Sequence, residues 1–179
     1  MADWYDELSP KLIEFVRAQQ MFFISTAPPD GNGYPNLSPK GYDCLEILGP
    51  RELVYADLGG SGNQTASHVV AGGRVTLMVC GMGAQALILR IYGRGRVLGR
   101  GDEGFGALVG RMRDGAVDEY TRQLIAIDVE KIQTSCGWGV PRYDFLGERD
   151  TLRRYWKKTR DDGNLDLFRE ATSKLQPPV

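Results

Sequence analysis

The chain has 179 residues, 42% of them apolar and 25% charged, a balance that excludes a disordered or fibrous protein and fits an ordinary globular one. Its 22 Lys and Arg stand against 23 Asp and Glu, so the net charge of -1 excludes a global field that would draw in nucleic acid or an anionic membrane. Any anion site must therefore be local. Cys44, Cys80 and Cys136 are scattered, odd in number and outside metal-ligand spacing, as in a reduced chain. Asp3, Asp6 and Glu7 sit where a signal peptide would carry positive charge, and no apolar run is long enough for a bilayer. The expectation is a cytoplasmic protein, one domain over 1–179 with a helical extension from about residue 149 to 179.

In chain order, Ser9-Pro10 reads as a helix cap followed by proline at the first turn, with Leu12, Ile13 and Val16 as the apolar stripe of a helix ending near Gln20. Strand texture follows: 21–27, a Pro- and Gly-rich turn at 28–33, then 34–38. A second hairpin pairs 43–48 with 52–57 around Gly49-Pro50. A glycine loop leads into a short helix over 63–70, closed by Gly72-Gly73 before a strand at 74–80. The long strand candidate 85–100 carries Gly93, Gly95 and Gly99, spaced as a sheet requires where it curls. Amphipathic stretches at 103–112 and 116–123 precede a strand at 124–132, and helices are predicted over 150–159 and 165–174. Consecutive antiparallel strands with late helices predict a mainly β protein, a small barrel with peripheral helices.

The glycine loop carries the most chemistry. In Gly59-Gly60-Ser61-Gly62-Asn63-Gln64-Thr65, backbone amides converge and Asn63, Gln64 and Thr65 add neutral donors. The pattern fits a phosphate site and equally a capped turn, in which Ser61 would be the cap. It lacks the lysine of a P-loop and the third glycine of a dinucleotide fingerprint. Pro39 interrupts a strand directly before Lys40, which either turns inward as a countercharge or lies exposed. Arg90, Arg94 and Arg96 share strand parity, and the basic run 149–160 reads as a solvated helix face. Trp138, between Gly137 and Gly139, either presents its indole to a ring system or packs internally, and Cys136 reads as a buried, inert thiol. His68 is the sole histidine and has no nucleophile elbow beside it, so it reads as a packing or surface residue. Neither a hydrolase triad nor a metal-ligand set can be assembled.

Taken in order, N-L-S-P-K-G (36–41), L-V-Y-A-D (53–57), G-G-S-G-N-Q-T (59–65) and R-V-T-L-M-V (74–79) resemble the pyridoxamine 5'-phosphate oxidase-like FMN-binding family over roughly 21–99. S-C-G-W-G-V-P (135–141), with Asp144-Phe145 and the Arg149-Asp150 helix, is similar to the C-terminal part of a bacterial branch. The resemblance implies an antiparallel split β-barrel forming a two-fold homodimer, with FMN at the subunit interface. By motif position Lys40, Asn63, Gln64 and Thr65 would hold the phosphate, with Ser38 and Ser61 beside them. Backbone near Leu37 and Ser38 would meet the polar edge of the ring. Related split barrels also use the deazaflavin F420, and a flavin or haem binder without catalysis is the alternative to a flavin-dependent oxidoreductase. The departures are as telling. Gln64 and Thr65 replace the Arg and Lys of the true oxidases, and 167–179 lacks their Arg-Leu-x-Pro-x-Arg type segment. Vitamin B6 oxidase activity is therefore not expected, and the small-molecule substrate is not readable.

Overall fold

The architecture was obtained as a computed structural model, which describes residues 2–175. The last four residues of the expected C-terminal extension, 176–179, lie outside the described residues. The elements are β1 (Asp3–Tyr5), α1 (Pro10–Arg17), β2 (Phe22–Thr26), β3 (Asn36–Lys40), β4 (Leu45–Gly49), β5 (Glu52–Leu58), α2 (Gln64–Val70), β6 (Arg74–Cys80), β7 (Leu87–Gly99), α3 (Phe105–Val109), β8 (Thr121–Cys136), α4 (Thr151–Asp161) and α5 (Leu165–Ser173). All strand pairs are antiparallel, in the order β3-β2-β6-β7-β8-β5-β4, with β1 added to β8. This is a split barrel: β7 and β8 run its full height, and β8 is paired along its second edge first by β5 and then by β1.

Alternation dictates the core. Val75, Leu77 and Val79 of β6, Leu89 and Ile91 of β7 and Ile24 of β2 are buried together. Leu124 to Ile127 of β8 are all fully buried, because this part of the strand is covered on both faces. Each of the Leu, Ile and Val side chains contributes about 1.5–3 kcal/mol by leaving water. The leading helix α1 closes one end with Leu12, Phe15 and Val16, and the Ser9 hydroxyl accepts a long hydrogen bond from the Leu12 amide at 3.4 Å.

The bend expected from the β7 glycines is there. Between Tyr92 and Gly93 the register to β8 slips, leaving Glu130 as the extra residue of a bulge. A Cβ on Gly93 would lie 2.2 Å from the Asp128 carbonyl oxygen, so only glycine admits the approach. Beyond it Arg94 pairs with Glu130 and Arg96 with Asp128 on an exposed face, while Arg90 donates to Ser135. Two features go beyond the sequence reading. The strand expected from residue 124 starts already at Thr121, within the amphipathic stretch 116–123, where Asp118 Oδ1 accepts from the amides of Tyr120 and Thr121 and closes a turn. The three-residue β1 had no legible pattern, all of its residues being exposed. No helix is long and apolar enough to cross a membrane among the described residues.

Candidate functional site

Strand β3 lies at the end of the sheet order, where Pro39 removes no ladder donor that the sheet needs. Its alternation half-buries Asn36, Ser38 and Lys40 and leaves Leu37 65% exposed. Lys40 is thus turned inward, and its Nζ meets Asp57 Oδ1, at the end of β5, at 2.8 Å. The other carboxylate oxygen of Asp57 accepts from Arg122 Nε at 2.9 Å and Gln123 Nε2 at 2.8 Å, both from the start of β8. Burial alone would raise the Asp57 pKa. The charges of Lys40 and Arg122, with hydrogen bonds from Lys40 and Gln123, outweigh it and hold the carboxyl below its ordinary value. Two cations therefore share one anion, Arg122 and Asp57 both being buried, and one positive charge is left over.

That surplus borders a cavity of about 400 Å³ between β3 and the glycine loop that joins β5 to α2. Ser38, Lys40, Ser61, Asn63, Gln64 and Thr65 all line it, as do Asp57 and Arg122. Leu37 projects outward instead. Trp138 is 86% exposed and lines neither this cavity nor the one beside it, so it is neither packed nor turned toward the loop. Asn63 has its side chain committed elsewhere: Oδ1 accepts from Gln123 at 2.7 Å, and Nδ2 donates to the carbonyls of Ser173 and Lys174 at 3.1 and 3.3 Å. Asn63, not Ser61, holds the cap position of α2, without a side-chain cap bond. Thr65 Oγ1 accepts from Asn36 Nδ2 at 2.9 Å, and Asn36 in turn accepts from Ser38 Oγ at 3.1 Å.

A second cavity, of about 660 Å³, continues from the first along Pro39 to Tyr42. Its walls include Met21, Met82, Tyr143 and Phe145. The shared wall ends in strained backbone, since Tyr42 and the Asp43 that follows it both have positive φ, 61° and 51°. The segment 142–149 pins it: the Tyr42 amide donates to Glu148 Oε1 at 2.8 Å, and the Tyr42 hydroxyl donates to the Arg149 carbonyl at 2.5 Å.

The remaining candidates for chemistry are set aside by position. His68 is buried with Nδ1 3.0 Å from Thr26 Oγ1 and lines neither cavity. Cys44 reaches the wall of the first cavity, but burial pushes its thiol up to about 12, so it stays protonated. Cys136, expected to be buried, is exposed. The hydroxyl of Tyr55 is fully buried near Thr65, with Lys40 Nζ 5.7 Å from its ring centre. Sequence reasoning passed over Asp57, Arg122 and Gln123. The one available signal was an aspartate ending an apolar strand.

Sheet order and strand register together define an antiparallel split barrel with a cavity at the glycine loop. Residues 8–136 match the family model described as pyridoxamine 5'-phosphate oxidase, and the chain belongs to that family. It is 35% identical over 153 residues to the pyridoxamine 5'-phosphate oxidase family protein ustO of Aspergillus flavus, covering 84% of this chain but only 61% of that relative's length. In fold it is similar to a candidate pyridoxamine 5'-phosphate oxidase from Lactobacillus delbrueckii, with a TM-score of 0.54, 16% identity, and coverage of 72% of this chain and 94% of the other. It also resembles HupZ of Group A Streptococcus, with a TM-score of 0.50, 17% identity, and coverage of 70% and 92%. These two likenesses concern the fold alone.

Proposed function

We propose that the chain binds FMN and acts as a flavin-dependent oxidoreductase, with the phosphate in the glycine-loop cavity and the ring directed along Pro39 to Tyr42. One observation carries this reading: Lys40 and Arg122 converge on a single carboxylate beside a loop of small residues, leaving a local positive charge in a chain that is otherwise near neutral. Gln64 and Thr65 supply neutral donors at the same cavity, which the Ser38 hydroxyl, donating to Asn36, also borders. Bound FMN would supply hydride or electron transfer, while the chain holds and orients it. The proposed assembly is a homodimer completing the flavin site, in the cytoplasm.

The purified protein should show a flavin absorption band, or rise in melting temperature when FMN is added in excess. Neither band nor shift would sink the proposal. Lys40→Ala should weaken FMN binding about 10- to 100-fold, the range for a charge-assisted hydrogen bond. A second reading, a flavin carrier without turnover, is favoured by the lack of an unengaged carboxylate or histidine among the described residues lining the glycine-loop cavity: Asp57 is held as a countercharge and His68 lies elsewhere. Photoreduced protein offered quinone, oxygen or a nicotinamide donor would separate the two. Mass spectrometry of released ligand would separate FMN from F420 or haem.

A further inference from the structure

The family match ends at residue 136, yet the helices beyond it reach back to the glycine loop. Trp156 of α4 is fully buried, with Phe168 of α5 edge-on at 4.3 Å and Tyr120 at 5.7 Å. Its indole lies flush against Gly59, where an added Cβ would come within 2.1 Å of the ring, and its Nε1 donates to the Gly59 carbonyl at 2.9 Å. At the other end of the loop, Arg122 donates to the Gly62 carbonyl at 2.7 Å and also to the Thr172 carbonyl of α5. Asn63 is bonded to the two carbonyls that follow. Both ends of the loop are thus tied to the helical pair.

A peptide unit is planar and trans, so the carbonyl of one residue and the N–H of the next point in opposite directions. Fixing the Gly59 carbonyl on the indole aims the Gly60 N–H away from it. Gly60 lines the cavity and Trp156 does not, and the Gly60 N–H donates to no protein group among the described residues. We propose that Trp156 is a positioning residue of the anion pocket, turning the Gly59–Gly60 peptide so that its N–H faces the ligand phosphate. The proposal rests on the phosphate reading given above. It makes the helical pair part of the ligand site without any contact between Trp156 and the ligand.

The test compares FMN with riboflavin, which has the same ring and no phosphate, on the full chain. Trp156→Phe keeps an aromatic ring and removes the donor. FMN affinity should fall about tenfold, the size of one lost hydrogen bond with its orienting effect, while riboflavin affinity holds. Phe168→Leu, which loosens the ring but leaves its N–H, should give a smaller loss with the same selectivity and serves if the first variant fails to fold. Equal losses for both flavins, or unchanged FMN affinity in a folded variant, would overturn the proposal. Should the wild type bind neither flavin, the flavin reading fails, and the variants are judged by thermal stabilisation with inorganic phosphate. Reduced stabilisation relative to wild type then supports the positioning role; equal stabilisation, or none in the wild type, overturns it.

Discussion

Replacing Asp57 by asparagine would leave Lys40 and Arg122 side by side without a countercharge. Removing one partner of a buried ion pair costs about 3–5 kcal/mol, so Asp57→Asn should lower the melting temperature markedly at neutral pH. The pH dependence follows from the depressed carboxyl. Its stabilisation is complete above the ordinary value of 3.8 and is lost as pH falls below it, through the lower folded value. Wild type should lose this contribution in acid, and the asparagine variant, having none, should unfold with a shallower dependence below that pH. An identical acid profile would show that Asp57 does not couple to folding. At this scale only half of the pocket was legible. Lys40 stood out because a proline beside it forced an edge position, and the loop because glycines cluster there. Arg122 did not, since its partner lies 65 residues away and the strand was expected to start only at residue 124.

Among elements, the β7–β8 pair carries the bend. Gly93→Ala would drive a methyl against the Asp128 carbonyl, a backbone atom that cannot rotate away. The cost should be about 1–3 kcal/mol by overpacking, read in denaturant unfolding, whereas Gly49→Ala, with open space around it, should be far milder. Most elements could be read because alternation and turn residues coincide, as in β6 over Arg74–Cys80. The failures have local physical causes. Before β8 the Asp118 side chain closes a turn that lets the strand begin early, and in β1 three exposed residues are held by pairing to Ile132, Gln133 and Thr134 and by Trp4 stacking on Tyr92. The helices α4 and α5 were predictable from their stripes, but their docking on Gly59 depends on Trp156 and on contacts far apart in sequence.

For the whole molecule, Leu37, Trp138, Tyr143, Phe145 and Leu146 leave large apolar side chains exposed. We expect a two-fold dimer to cover part of this surface, so light scattering should give twice the chain mass. A monomer at every concentration would exclude that assembly. The β8 strand has a further consequence, for biogenesis. It is the common partner of β7, β5 and β1, and among the described residues it follows all of them in chain order. Until it emerges, β5 and β7 both present an open edge to solvent or to a neighbouring nascent chain. Slow translation through the 121–136 codons, or truncation before them, should therefore yield aggregates and chaperone-bound chains rather than a smaller folded unit.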